Sequence, residues 1–292
     1  MTEIFRGAAT ALITPMNENG IDYEAFGRLI DWQIEKGIDA LVIAGTTGES
    51  STMTDEEHRE VLRYAMERSG HKVPMIAGTG SNDTAYAIDL TKFAGELGYD
   101  AALVVTPYYN KATQNGLVKM YTAIADASSI PLIIYNVPSR TGVNVDPKTY
   151  AKLKDHPNIA AVKEASGDLS KFADTVCFCQ GDLAYYSGND DQIIPILSLG
   201  GSGVISVLSN LLPKETSTMV HKYLDGDVAG ARELQLKLLP LIRALFCETN
   251  PIPVKAAMAR MGFCDESIRL PLTPMEEAHR AVLFAEMEKA GL

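Results

Sequence analysis

The chain is short of positive charge: 26 Lys and Arg stand against 37 Asp and Glu, a net charge of −11 with a sequence pI near 5.0. That deficit argues against a phosphate-backbone partner, so neither nucleic acid nor an anionic membrane surface is expected. Long apolar runs are also missing. Stretches such as Ile130 to Tyr135 are far below membrane-spanning length, and the start, Met1 to Gly7, has no basic segment followed by an apolar one. A cytoplasmic protein is expected. Four cysteines, Cys177, Cys179, Cys247 and Cys264, are too few for a disulfide framework in 292 residues. Cys177-Phe-Cys179 has no second Cys or His cluster of zinc spacing to accompany it, so buried structural thiols are expected. The five histidines, 58, 71, 156, 221 and 279, fall on helices or in loops unsuited to a metal cluster, so no metal site is predicted. No G-x-G-x-x-G follows the first apolar segment, and no Pro/Gly/Ser-rich linker divides the chain.

What is present is a hydrophobic content of 46% and a repeated alternation of short apolar runs with helical stretches. The runs are Ala8 to Thr14, Ala40 to Gly45, Pro74 to Gly78, Ala101 to Thr106, Leu132 to Val137, Ile159 to Lys163, Ala184 to Ser187 and Gly203 to Val207. Helices are predicted near 22–36, 54–69, 83–97, 115–127, 146–153, 169–178, 190–198 and 212–221. Thr54-x-x-Glu57 reads as a capping box, and Asp22, Asp83 and Asp146 as N-terminal acids. Alternation of this kind gives parallel strands with crossover helices, and eight repeats favour an α/β (β/α)8 TIM barrel over a doubly wound sheet. The barrel is predicted over residues 1–224. Residues 225–292 form a three-helix extension (226–246, 250–262 and 274–290) within one continuous domain, its last helix capped at Thr273 with Pro274 at the first helical position.

Active sites of such barrels gather at the C-terminal strand ends, and these are polar here. Lys163 closes an apolar strand on the same side as Ala161, so its amine is expected in the barrel mouth. Desolvation there would lower its pKa and free the lone pair for imine formation, whereas pairing with a neighbouring acid or snorkelling to water would leave it an ordinary ammonium. Tyr135 ends the adjacent strand and can relay protons to that amine or simply pack in the core. Gly45-Thr-Thr-Gly-Glu49 offers backbone N–H groups and two hydroxyls for a carboxylate, or is a plain βα loop. Arg140 can hold a carboxylate bidentately or pair with an acid of the protein. The Gly200 to Gly203 run precedes the eighth strand and so falls at the opposite mouth from a barrel phosphate site, which disfavours pyridoxal phosphate as well.

Together the motifs resemble the dihydrodipicolinate synthase family, a branch of the lysine-dependent pyruvate aldolases of the N-acetylneuraminate lyase superfamily. They run in order almost end to end: Gly45-Thr-Thr-Gly-Glu-Ser50, Ile76-Ala-Gly-Thr-Gly80, Val105-Thr-Pro-Tyr-Tyr-Asn110, Tyr135-Asn-Val-Pro-Ser-Arg-Thr-Gly142, Val162-Lys-Glu-Ala165, Gly203-Val-Ile-Ser-Val207, Asn250-Pro-Ile-Pro-Val-Lys255 and Leu270-Pro-Leu-Thr-Pro274. The resemblance implies a lyase in which Lys163 forms a Schiff base with pyruvate. Tyr135, Thr46 and Tyr109 match the proton relay, Tyr109 being lent by a neighbouring subunit of a homotetramer built as a dimer of dimers. Thr47 matches the grip on the pyruvate carboxylate, and Arg140 the grip on the second substrate, L-aspartate 4-semialdehyde. Gly188 and Ile205 match backbone contacts near the lysine. The product would be 4-hydroxy-tetrahydrodipicolinate, at the entry to the diaminopimelate route to lysine, with no cofactor. A sister aldolase acting on N-acetylneuraminate or a 2-keto-3-deoxy sugar acid is the alternative, and the guanidinium of Arg140 speaks for the smaller, carboxylated aldehyde. Ser50, His58, Asn82 and Tyr108 match an effector site for lysine, but Asp55 and Tyr86 stand where strongly inhibited members carry His and Glu, so weak or absent inhibition is predicted.

Overall fold

The computed structural model describes residues 3–292. Eight parallel strands close into a barrel: β1 (Gly7–Ala11), β2 (Ala40–Ile43), β3 (Met75–Gly78), β4 (Ala101–Val105), β5 (Leu132–Asn136), β6 (Ile159–Glu164), β7 (Ala184–Ser187) and β8 (Gly203–Ser206). Each pairs with the next in the chain, and β8 returns to β1 with Gly7 opposite Gly203. A side chain cannot be accommodated at that seam: a Cβ on Gly203 would lie 1.9 Å from the Gly7 carbonyl oxygen.

A helix follows each strand: α1 (Tyr23–Glu35), α2 (Asp55–Ser69), α3 (Thr84–Glu96), α4 (Gln114–Ala127), α5 (Pro147–Leu153), α6 (Leu169–Cys179), α7 (Ile193–Ser198) and α8 (Pro213–Leu224). The Thr54/Glu57 capping box forms in both directions, and Asp22 and Asp83 accept from the first-turn N–H groups of Ala25 and Ala85. Asp146 precedes α5 as expected but caps nothing with its side chain, because its carboxylate accepts instead from Lys171 Nζ at 2.8 Å. The run predicted from Ala8 to Thr14 leaves the sheet at Ala11, and the helix predicted from residue 190 opens as a 3-10 turn, Asp190–Gln192.

Two cores result from the alternation of strand side chains. Outward-facing residues such as Leu41, Val104, Ile134 and Val162 pack against the helices. The inward-facing set is rich in alanine, with Ala9, Ala11, Ala40, Ala101, Ala161 and Ala184 beside Val42, Ile76, Leu103, Ile133 and Ile205. At the N-terminal mouth Phe5 stacks on Tyr186 at 4.1 Å, and the Tyr186 hydroxyl donates to the Phe5 carbonyl at 2.8 Å. One end of the barrel is thereby sealed.

Beyond α8 the chain adds α9 (Val228–Leu245), α10 (Ile252–Arg260) and α11 (Glu277–Ala290); α9 packs on α8 and α11 packs back on α9. The last helix starts at Glu277, so Pro274 is not its first residue. Residues 273–276 stay non-helical and place Met275 in the core, 4% exposed. Of the cysteines only Cys179 is buried; Cys177 and Cys247 are exposed and Cys264 is half-buried. Cys177 lies two residues, about 200° around a helix, from Cys179, so the two cannot share the inner face. Among the described residues, no helix is long and apolar enough to cross a membrane.

Candidate active site

The β6 segment Ile159-Ala-Ala-Val-Lys-Glu164 directs Ala161 and Lys163 into the barrel and Val162 outward. Lys163 stands in register with Tyr135 on β5 and with Tyr186 on β7. It is 6% exposed, and its Nζ lies 4.2 Å from the centre of the Tyr135 ring. Burial pulls its pKa down from 10.5 to about 7, against an opposing pull from the Asp190 carboxylate and with help from the Arg140 charge. Among the described residues no carboxylate lies within ion-pair distance of it. The neighbouring Glu164 points to the other face, where the Ser166 N–H donates to it at 2.7 Å and Asn136 Nδ2 donates at 3.2 Å. Gly188 makes room for the amine, since a Cβ there would meet Ala165 Cβ at 2.7 Å and Lys163 Cε at 3.1 Å. Its own N–H donates to the Glu164 carbonyl at 2.7 Å, while Ile205 fills the interior as a wholly buried side chain.

Tyr135 is buried, and desolvation raises its pKa; the Arg140 charge and the Thr46 side chain, its hydrogen-bonding neighbour, both oppose that rise. The amine, the phenol and the Thr46 hydroxyl therefore meet at one strand end, with Arg140 near enough to bias both titrating groups. Tyr109 does not join them within this chain. It is 92% exposed, with a left-handed φ of 68°.

The loop after β2 is held from the far end of the chain. Thr47 is buried, and Asn250 Nδ2 donates to its Oγ1 at 3.0 Å. Arg140 Nη2 donates to the Asn250 carbonyl at 2.9 Å. Glu49, at a left-handed φ of 59°, meets Lys255 Nζ at 2.6 Å in a pair whose side chains are 2% and 1% exposed, and Lys255 also donates to the Ser267 carbonyl at 2.6 Å. Arg269 reaches Glu57, the third residue of α2, with two bonds of 2.6 Å. Asn250, Lys255 and the buried Asp190, whose Oδ2 accepts from the Val207 and Leu208 N–H groups at 3.0 and 2.9 Å, had no role assigned from the sequence. For Lys255 a signal existed: a lone lysine inside the apolar run Ile252-Pro-Val-Lys-Ala-Ala-Met258 demands a buried partner.

A cleft of about 530 Å³ opens over these strand ends. Its lining includes Thr46, Val137 and Arg140 as well as Ser50, Asp55, His58, Tyr86 and Tyr108. His58 is buried with Nε2 2.9 Å from the Gly78 carbonyl, and burial lowers its pKa. Asn82 donates to the Tyr108 carbonyl at 3.2 Å. The Tyr86 hydroxyl donates to Asp55 at 2.9 Å, and Asp55 also accepts from Arg59 at 2.8 Å.

A closed parallel barrel with a desolvated lysine at a strand end, a phenol against it and a guanidinium in the adjoining cleft is the frame of a lyase. Comparison with known proteins agrees: the profile of the Dihydrodipicolinate synthetase family matches residues 4–290, and the chain belongs to that family of enzymes. It is 55% identical to the 4-hydroxy-tetrahydrodipicolinate synthase of Caldicellulosiruptor saccharolyticus over 290 residues, 99% of this chain and 98% of that one. It is 50% identical to that of Acetivibrio thermocellus over 289 residues, with the same coverage. Among solved structures, the Thermotoga maritima dihydrodipicolinate synthase superposes with a TM-score of 0.97 at 42% identity, covering 99% of both chains. The Acinetobacter baumannii enzyme, crystallised with pyruvate, superposes with a TM-score of 0.96 at 44% identity, covering 98% of this chain and 99% of that one.

Removing one partner of a buried ion pair leaves the other charge uncompensated. Lys255→Met is therefore expected to lower the unfolding free energy in urea by about 3–5 kcal/mol, and Glu49→Gln combined with it to recover much of that loss.

Proposed function

We propose that this chain condenses pyruvate with L-aspartate 4-semialdehyde to give 4-hydroxy-tetrahydrodipicolinate. The observation that carries the reading is the Lys163 amine, buried among alanines, brought down to about 7 and faced by Tyr135. Neutral Lys163 attacks the keto carbon of pyruvate, and the oxygen of the resulting carbinolamine takes a proton. Tyr135, relayed through Thr46, protonates that oxygen again so that it leaves as water, giving the iminium. Loss of a methyl proton yields the enamine, whose carbon forms the new C–C bond to the aldehyde while the aldehyde oxygen is protonated. The amino group of the second substrate then displaces Lys163 from the imine carbon, closing the ring and restoring the free amine.

Thr47 is assigned to the pyruvate carboxylate and Arg140 to that of the semialdehyde. Gly188 and Ile205 are assigned to the backbone around the lysine. An anionic aldehyde suits a guanidinium better than the polyhydroxylated chain of a sugar acid does. The full exposure of Tyr109 supports a phenol lent to a neighbouring subunit, and we place it across the tight interface of a homotetramer. Residues 1–224 and 225–292 are taken as barrel and extension of one domain, since the extension grips the β2 loop. Ser50, His58, Asn82 and Tyr108 form the proposed effector side of the cleft. Tyr86 and Arg59 both donate to Asp55 there, so that carboxylate is already engaged within the chain.

Borohydride reduction with pyruvate should leave one reduced adduct, mapped to Lys163. Because only the neutral amine attacks, the trapping rate should rise with pH and level off above about 7. An adduct elsewhere, or none, would sink the mechanism. Arg140→Ala should raise KM for the semialdehyde tenfold or more, about 1.4 kcal/mol, with pyruvate trapping retained; an unchanged KM counts against the assigned aldehyde. Lysine, titrated through the micromolar range, should leave the initial rate flat, and a steep fall would refute the effector reading.

A further inference from the structure

The extension meets the proposed substrate site at one residue that touches both carboxylate grips. Asn250 is 6% exposed and lies in the stretch between α9 and α10, just before Pro251. Its side-chain amide donates to Thr47 Oγ1 at 3.0 Å, and its backbone carbonyl accepts from Arg140 Nη2 at 2.9 Å. A hydroxyl has one proton and two lone pairs. With a lone pair of Thr47 occupied by the amide N–H, the contact between the two side chains runs in that direction, the buried Asn250 Oδ1 has no partner among the described residues, and the Thr47 proton is left for another acceptor. The bond thus leaves Thr47 to act as a donor toward an entering anion. The second contact fixes the guanidinium through a neutral carbonyl, which leaves its charge uncancelled.

We propose that Asn250 is a positioning residue that sets the donor direction of Thr47 and the spacing between Thr47 and Arg140, and so governs pyruvate affinity through a side chain that never touches pyruvate. This rests on the assignment of Thr47 to the pyruvate carboxylate. The two arms of Asn250 are separable: the side chain serves Thr47, whereas the backbone carbonyl serves Arg140 and survives substitution.

The near-isosteric Asn250→Asp tests the polarity of the bond. A carboxylate cannot donate, so the Thr47 proton turns toward residue 250, and a negative charge is added beside the incoming anion. KM for pyruvate should rise at least tenfold, with a much smaller change in kcat and in KM for the semialdehyde. A double-mutant cycle separates this from general damage to the fold. Thr47→Val should itself raise the pyruvate KM, and Asn250→Ala should cost about tenfold in kcat/KM for pyruvate in the parent but under twofold in the Thr47→Val background. Equal losses in both backgrounds, or equal rises in both substrates' KM for Asn250→Asp, would overturn the inference while leaving the Thr47 assignment intact. An unchanged pyruvate KM in Thr47→Val would remove that assignment and the inference with it; retained trapping on Lys163 would then still uphold the imine chemistry.

Discussion

Desolvation of a single amine is the constraint on which the arrangement depends. Lys163 is surrounded by contributions that favour its ammonium form, the face of the Tyr135 ring at 4.2 Å and the carboxylate of Asp190. They lose to burial, because the barrel interior offers a wall of alanine methyls and no ion-pair partner. Space for the lysine stem is kept by Gly188, where a Cβ would lie 3.1 Å from Lys163 Cε. The stacked Phe5 and Tyr186 close the opposite mouth, so water reaches the amine from one side only.

The barrel by itself does not hold the loops that the amine needs. The β2 loop carries left-handed Ala44 and Glu49, conformations that cost free energy for residues other than glycine and persist only where neighbours over-determine them. The extension supplies those neighbours: Asn250 on Thr47, Lys255 on Glu49, and Arg269 on the Glu57 that also completes the capping box of α2. A buried pair such as Glu49 with Lys255 is a poor source of net stability, since desolvating both charges offsets most of their attraction. Its better-founded consequence is registry, because a shift of α10 would part Lys255 from the buried Glu49.

This division explains what could be read from the chain beforehand. Apolar runs and helical patterning expose the eight barrel strands and the helix after each, but not the ribbon Met16–Asn17 with Gly20–Ile21 or the short helix Pro138–Thr141 that carries Arg140, and a lysine ending the run Ile159-Ala-Ala-Val is visible because it breaks that pattern at the end where barrel sites lie. Local signals also mislead where a tertiary partner outbids them. Asp146 turns from its own helix to Lys171, and Thr273-Pro274 does not start a helix because Met275 is drawn into the core. The links from Asn250 and Lys255 span about two hundred residues of chain, and no local pattern encodes which loop a distant amide will meet. Tyr109 is the converse case: at 92% exposed it stays apart from the site within this chain, so its proposed role depends on a second subunit.

A net charge of −11 sets the last problem, because the proposed substrates are anions and the field of the whole molecule repels them. Most of the guanidiniums that lie near carboxylates are neutralised by them: Arg59 by Asp55 and Asp89, Arg68 by Asp31, Arg269 by Glu57 and Arg280 by Glu266. Arg140 is held differently, by the neutral carbonyl of Asn250, so its orientation is set while its charge is not cancelled. The same charge helps to lower the pKa of Lys163. One cation thus attracts the anion and keeps the amine neutral at once, and an anion bound beside it would weaken that second effect. In the proposed mechanism, pyruvate engaging the amine while that guanidinium is still unpaired keeps this contribution in place for the step that uses the neutral amine.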